Sequence, residues 1–336
     1  MKKKIIITGG LGFIGSYLVK KGIEKKYRVI NIDKKNYSGI NLNIKSKRYQ
    51  FKRMSICDVN KIKQIFSEFK PDYVINCAAE THVDRSIDKP STFFETNLFG
   101  TTNLLDQVIK LKKCRFIQIS TDEVFGSLKP YEKKFTENTN YDPKSPYSAS
   151  KAAADHAVRS YGNTYGLNYV ITNCSNNYGP YQYPEKLIPI IINSLNNKSE
   201  IPIYGDGKNI RDWIHVQDHV DAIYKCMVNG KTNNTYLIGA NNEISNLNLT
   251  LKIIKIYKNL FKDDFNYYNK IKFVKDRKGH DFRYSISAKK IRKDINWKPK
   301  INFENGLKET IKFYFMHRKK YNKIFLADRW LNKKYR

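Results

Sequence analysis

Through the first half of the chain, short apolar runs alternate with segments whose apolar positions recur at helical spacing. The runs Lys4 to Thr8, Arg28 to Asp33, Tyr49 to Ile56, Tyr73 to Ala78, Arg115 to Ser120 and Tyr169 to Cys174 read as strands of a parallel sheet. Helices are predicted between them, near Ile14 to Lys25, Lys61 to Phe69, Thr92 to Leu111 and Tyr147 to Tyr165. Repeated βαβ units of this kind predict an α/β fold with a doubly wound parallel sheet over residues 1–177. The alternation stops after about Asn177. Short segments rich in Pro, Gly, Asn and Lys follow, which predicts a smaller α+β domain over residues 178–336, laid across the carboxyl ends of the strands. Trp213 to Gly239 again reads as a helix and a strand, so the chain is expected to return to the first domain around residues 210–243.

Composition narrows the class. The 336 residues supply ample apolar content for a core, and no apolar run is long enough to span a bilayer. The opening MKKKIIITGG begins like a signal peptide, but its apolar stretch is confined to Ile5 to Ile7 and runs into glycines, so it reads as a first strand. Cys57, Cys77, Cys114, Cys174 and Cys226 are scattered without metal-type spacing, as expected of reduced thiols in a cytoplasmic protein. The formal net charge of +31 is spread along the chain and joined by abundant Asn and Ile, a pattern that biased codon usage also produces. No nucleic-acid-binding motif accompanies it, so neither nucleic acid nor membrane is expected as a partner. A basic surface would help capture a substrate that carries a diphosphate.

After the first strand, Gly9, Gly12 and Gly15 recur every three residues before a helix begins. Glycines so placed permit a tight turn, let the backbone approach a pyrophosphate, and pack helix against strand. The next strand ends at Asp33, the interval expected for the acid that binds the adenosine ribose hydroxyls. A carboxylate there repels the extra phosphate of NADP, so NAD is the expected cofactor. Lys34 and Lys35 follow, and read more simply as solvated loop charges.

Tyr147 and Lys151 lie four apart on a predicted helix and share one face. A phenol has a pKa near 10 and acts as a base at neutral pH only when a cation stabilises its anion, the role expected of Lys151. Thr121, Asp122 and Glu123 come directly after a predicted strand, at the carboxyl end where open parallel sheets bind ligands. Hydride transfer needs the Tyr and Lys. Two adjacent carboxyl groups therefore imply a second operation, such as removing water. His215 and His219 are also four apart, but no third ligand accompanies them and no metal is expected.

At this level of detail the chain resembles the nucleotide-sugar 4,6-dehydratases of the extended short-chain dehydrogenase/reductase superfamily, which have a Rossmann-type sheet. Nearly the full length takes part: TGGLGFIGS at 8, AAETHVDRSI at 78, STDEVFG at 120, SPYSASKAAADH at 145, CSNNYGPYQ at 174, PIYGDGKNIRDWIHVQDH at 202 and DRKGHDFRY at 276. The members acting on dTDP-glucose are the most similar. The resemblance implies that Tyr147 takes the proton of the glucose C4 hydroxyl while hydride passes to NAD, and that Thr121 hydrogen-bonds the resulting ketone. Glu123 would then remove the C5 proton while Asp122 protonates the departing C6 hydroxyl, and the hydride would return to C6. The product would be a 4-keto-6-deoxy sugar nucleotide.

Carried over by motif, Gly9, Gly12, Phe13, Ile14, Gly15, Asp33, Lys34, Asn36, Ser55, Ile56, Ala78, Ala79, Thr81, Thr96, Tyr147, Lys151 and Asn177 would hold NAD. His82, Thr121, Asn176, Lys186, Leu187, Pro202, Ile203, Tyr204, Arg211, Asn246, Arg277 and His280 would hold the nucleotide sugar. The long helices near Thr92 and Tyr147 would pair in a homodimer.

The chain departs from the family pattern at Ser55, Asn76, Asn173 and Lys278, where an Asp, a His, an Arg, and a small residue or Pro are usual. Ser55 loses a charge-assisted bond to the adenine, and Lys278 bears on diphosphate binding. UDP-glucose dehydratases carry nearly the same catalytic motifs and leave the base open between dTDP and UDP. A 4-epimerase shares the fold, NAD, Tyr and Lys but lacks the two acids. A catalytically silent nucleotide- or RNA-binding protein would have no reason to keep all five catalytic residues.

Overall fold

The computed structural model describes residues 3–328. The first half forms β1 (Lys4–Thr8), α1 (Phe13–Glu24), β2 (Arg28–Asp33), β3 (Tyr49–Arg53), α2 (Val59–Phe69), β4 (Tyr73–Asn76), α3 (Val83–Asp88), α4 (Pro90–Phe94), α5 (Gly100–Val108), β5 (Arg115–Thr121), α6 (Pro146–Tyr165) and β6 (Tyr169–Cys174). The remainder forms β7 (Asn176–Tyr178), α7 (Leu187–Asn197), β8 (Ile201–Tyr204), β9 (Ile210–His215), α8 (Val216–Asn229), β10 (Asn234–Ile238), β11 (Glu243–Ser245), α9 (Asn246–Phe261), β12 (Ile271–Val274), α10 (Lys289–Ile295), α11 (Phe303–Met316) and α12 (Arg318–Ala327).

Seven parallel strands form one sheet in the order β10-β6-β5-β4-β1-β2-β3. Its central strands are buried on both faces, which explains their continuous apolar sequence. Ile5 and Ile7 of β1 pack with Leu18 of α1, Ile223 of α8 and Ile291 of α10. Ile6 points the other way, into a core with Phe66 of α2, Leu104 of α5 and Val158 of α6. The order reverses direction between β1 and β4. That switch point opens the crevice where doubly wound sheets bind ligands.

Two predicted strands end early for a local reason. β4 stops at Asn76 because the next two amides, of Cys77 and Ala78, donate to the Thr8 hydroxyl (3.2 and 3.1 Å) rather than to a neighbouring strand. β3 is the edge strand and ends at Arg53, after which Met54, Ser55 and Ile56 turn toward the crevice. The predicted Thr92 to Leu111 helix runs instead from Pro90 to Val108, with proline in its first turn and a π-helical turn over Glu95–Phe99. α6 starts at Pro146, one residue before the predicted Tyr147, because Ser145 and Ser148 form a reciprocal capping box, and it ends before Gly166 in the left-handed conformation.

Beyond β6, β11-β9-β7 form a three-stranded sheet and β12-β8 pair in parallel. Helices α7, α9 and α11 pack around Tyr178, Trp213 and Tyr267 in a separate core. β10 rejoins the main sheet beside β6, with Asn234 opposite Val170 and Ile238 opposite Cys174.

Candidate active site

Each residue singled out from the sequence as a catalytic, cofactor or substrate candidate lines one cleft of ≈ 400 Å³ at the carboxyl edge of the main sheet. The glycine loop forms one wall. Gly9 has φ +67°, and a Cβ there would lie 2.7 Å from the Ala78 backbone. At Gly15 a Cβ would sit 2.0 Å from the Gly9 carbonyl oxygen. Neither position has room for a side chain. Gly12 caps α1, and with Phe13, Ile14 and Gly15 it brings the N-terminal turn of that helix to the cleft, an arrangement that suits a pyrophosphate.

Asp33, at the end of β2, accepts the Leu11 amide (2.9 Å) and the Lys35 amide (2.7 Å). Burial pushes its carboxyl up and these two bonds pull it back. Both bonds hold the carboxylate at the mouth of the glycine loop. Lys34 is ion-paired with Glu80 rather than free in solvent as its sequence context suggested. The Ser55 hydroxyl accepts the Cys57 amide (3.1 Å), so part of its bonding capacity is spent on a local turn. These features fit a dinucleotide with free ribose hydroxyls.

Thr121 is the last residue of β5, one further than predicted, and caps the short 3₁₀ turn Asp122–Phe125 by accepting the Glu123 amide at 3.3 Å. Its hydroxyl also donates to Asp122 at 3.4 Å. The other Asp122 oxygen is buried without a hydrogen-bond partner among the described residues. Burial, then Glu123 and Asp212, push the Asp122 carboxyl well above the usual carboxylate range. Burial also raises Glu123, but Arg277, Lys186 and Arg211 oppose it. Both carboxyls are raised, but Asp122 much further, because the basic groups about Glu123 restrain its rise.

Tyr147 and Lys151 project from α6 into the same space, 8 % and 5 % exposed. Burial, followed by Glu123, pushes the Tyr147 phenol well up, and a hydrogen bond with Thr121 pulls it down. The Lys151 ammonium donates to the Ile119 carbonyl at 2.6 Å, a main-chain partner that the sequence did not reveal. Asn173 of β6 donates to the Thr121 carbonyl at 3.0 Å, and buried Asn76 donates to Thr101 and Gln118, both at 2.9 Å. Two of the four departures from the family pattern are therefore hydrogen-bonded within the sheet.

The opposite wall is basic. Arg211 donates to the carbonyls of Ile210 (2.7 Å), Phe282 (3.2 Å) and Asp281 (2.9 Å), and its guanidinium lies 4.1 Å from the Tyr284 ring centroid. Arg277 lies 4.0 Å from Asp84, and Lys186 reaches the Thr81 carbonyl at 3.2 Å. His280 bonds Asp276 at 2.6 Å, while burial, with Arg277 and Arg211 nearby, pushes its imidazole down to about 4. Asn246 opens α9 and presents a buried side-chain oxygen with no partner among the described residues.

Several lining residues were not singled out individually. Asp84, Trp213 and Tyr284 fall inside the quoted motifs, whose spacing carried the signal without marking them. Gln182 closes the motif CSNNYGPYQ, and Tyr183 and Glu185 lie just outside it. His215 caps α8 by accepting the Gln217 amide, and His219 bonds Asn177 at 2.8 Å. Among the described residues no group of three His, Cys, Asp or Glu side chains is placed to hold a metal ion, and no helix is long and apolar enough to cross a membrane.

Comparison with known proteins follows the same lines. A family model described as GDP-mannose 4,6 dehydratase matches residues 6–310. A dTDP-glucose 4,6-dehydratase of Shigella flexneri is 46 % identical over 335 residues, covering 93 % of this chain and 92 % of that one. The crystal structure of a dTDP-glucose 4,6-dehydratase from Bacillus anthracis, in complex with NAD, superposes with a TM-score of 0.86 at 39 % identity, covering 96 % of this chain and 99 % of the other. The Streptomyces venezuelae counterpart, solved with NAD and dTDP bound, gives 0.88 at 36 % identity with the same coverage. The chain belongs to the nucleotide-sugar dehydratase family that this model describes and, within it, to the dTDP-glucose 4,6-dehydratases.

Proposed function

We propose that the protein removes water from dTDP-glucose to give dTDP-4-keto-6-deoxyglucose, supplying a deoxysugar nucleotide for biosynthesis. The carrying observation is the pair of adjacent carboxyl groups, Asp122 and Glu123, set beside Tyr147 and held at different proton affinities in one buried cleft. Elimination needs an acid and a base at once, and this is how one pair provides both.

In this reading Gly9, Gly12, Gly15 and Asp33 hold NAD, which when bound takes the hydride from C4 and returns it to C6. Tyr147 accepts the C4 hydroxyl proton, with Lys151 one helical turn away supplying the positive charge that favours the phenolate. Thr121 donates to the C4 oxygen as it becomes a ketone. That ketone acidifies C5, Glu123 takes the C5 proton, and Asp122 protonates the C6 hydroxyl as it leaves as water. A proton then returns to C5, so the redox steps cancel. Arg211 and Arg277, with Lys186, offset the diphosphate charge, and Asn246 meets the nucleotide with His280, which is neutral at neutral pH.

The residues before 178 are assigned mainly to the cofactor and those after it mainly to the nucleotide sugar. We assign the protein to the cytoplasm, where its thiols stay free. A homodimer is assigned through the helices that expose Phe99 (62 %) and Tyr165 (60 %), both apolar enough to favour burial by a second copy.

The test is incubation of purified protein with dTDP-glucose and, in parallel, UDP-glucose. A 4-keto-6-deoxyhexose from dTDP-glucose without net NADH supports the proposal. Unchanged dTDP-glucose, a dTDP-galactose product, or turnover of the UDP sugar alone overturns it.

A further inference from the structure

Tyr147, Lys151, Asp155 and Arg159 follow one another at intervals of four along α6, so a phenol, an ammonium, a carboxylate and a guanidinium succeed each other on adjoining turns. The first two line the cleft. Asp155 lies behind them, with 0 % of its surface exposed, and none of the steps above uses it.

A buried carboxylate is costly unless it is bonded and paired. Asp155 is bonded through one oxygen, which accepts the Ser120 hydroxyl (2.6 Å), the Tyr141 hydroxyl (3.0 Å) and the Asn173 amide (3.4 Å). The Tyr141 hydroxyl in turn accepts from Arg159 at 2.8 Å, and that guanidinium lies 4.8 Å from the Tyr141 ring centroid. The second Asp155 oxygen has no hydrogen-bond partner among the described residues. One turn back along the helix is Lys151, an equally buried cation whose hydrogen bond goes to the neutral Ile119 carbonyl.

Burial pushes the Lys151 ammonium down and the Asp155 carboxyl up, and in each case the strongest opposing influence is the other group. Besides Tyr147, the phenol it serves, the titratable groups facing Lys151 are the Cys77 and Cys174 thiols at the ends of β4 and β6, both driven up by burial, Cys77 to about 12. They are neutral at working pH and supply no countercharge. The same carboxylate also braces the catalytic strand. Ser120 stands between Ile119, which receives Lys151, and Thr121, whose carbonyl receives the Asn173 amide that also reaches Asp155.

We propose that Asp155 is a positioning residue that acts through Lys151, keeping its buried ammonium protonated at working pH while fixing residues 119–121 of β5 against α6. The proposal rests on the dehydratase reading, because it needs Lys151 to serve Tyr147. It assigns the upper pH limit of turnover to Lys151 as governed by Asp155.

The test is the pH dependence of kcat for wild type and Asp155→Asn with dTDP-glucose. Asparagine keeps the shape and an accepting oxygen but removes the charge, so Lys151 gives up its proton at lower pH. The alkaline limb should move toward acid by roughly 1 pH unit, the low end for an opposite charge at close range, with KM unchanged. A uniform loss of kcat with an unmoved limb would show a purely structural role and overturn the proposal. Asp155→Ser serves if Asp155→Asn does not yield folded protein. It also removes the charge while keeping a hydroxyl for the Ser120 and Asn173 side chains, and should move the limb the same way; an unmoved limb there overturns the proposal too. Failure of the wild type to dehydrate dTDP-glucose defeats the functional reading instead, before any variant is compared.

Discussion

The side-chain amide of Asn173 donates to the main-chain carbonyl of Thr121 across the β5–β6 pair, at 3.0 Å, with both residues buried. Thr121 is where the strand ends and the catalytic turn begins, and the amide reaches its carbonyl from the neighbouring strand at that point. Asn173→Ala strands that carbonyl in the interior and should destabilise the fold by about 1–3 kcal/mol, the cost of an unmet buried acceptor. The midpoint of urea unfolding reads this directly. An unshifted midpoint would mean that another donor takes over.

Asp122 predicts a trade between stability and activity. Its folded-state pKa is raised well above the ordinary 3.8, so the native state holds its proton more tightly than the unfolded chain does. The associated stability is present at low pH and lost as pH rises through the folded value. Asp122→Asn has no charge to bury, so it should melt higher than wild type at about pH 8 and equally near pH 3. A lower melting temperature at alkaline pH would show that Asp122 is stabilised there as an anion, contrary to the acid role.

Separating the two halves of the reaction is the direct test of the division of labour. In Asp122→Asn/Glu123→Gln the Tyr147 and Lys151 pair is intact, so bound NAD should still be reduced by dTDP-glucose. Water loss should fall by about 10²–10⁴-fold, the usual contribution of positioned acid and base groups. Rapid-scan absorbance of bound NADH beside product analysis distinguishes the steps. Normal dehydration by this double variant would reassign both carboxyl groups.

Gly15 offers a test of the cofactor loop. An alanine Cβ would fall 2.0 Å from the Gly9 carbonyl oxygen and 2.8 Å from the Gly10 Cα, both main chain, so the loop and helix must separate. Gly15→Ala should weaken NAD binding by tenfold or more, as read by quenching of protein fluorescence, while circular dichroism stays near that of wild type. Unaltered affinity would show that the loop can yield without losing its grip on the pyrophosphate.

What the sequence made legible was what local pattern controls. β1, β2 and β6 have their predicted bounds because each is a compact apolar run ended by a turn signal, and the glycine triplet with Asp33 is a local device. Helices α9 and α11 went unpredicted because polar residues, Asn and Lys among them, dilute their apolar stripes, although Leu249, Ile253 and Tyr257 lie on the buried side of α9, and α7 because its proline and unbroken isoleucine run show no helical periodicity. Pro189 sits in the first turn of α7, where a missing amide costs nothing. Contacts far apart in the chain were invisible: Tyr204 with Asp84, Asn173 with Thr121, and Lys151 with the Ile119 carbonyl. The motifs nevertheless collected the candidate residues at the cleft, because close packing around a bound molecule constrains residue identity more tightly than it constrains sequence separation.

Because β10 completes the main sheet only after an excursion of some sixty residues, the sheet cannot close until the ribosome has passed Ile238. A fragment ending near residue 177 would leave β6, buried along its whole length, as a bare apolar edge ready to pair with another chain. The cofactor half is therefore not a separable module. During synthesis the nascent sheet must be shielded while the residues between β6 and β10 emerge, and a stall or truncation in that interval should yield aggregate rather than a small NAD-binding protein.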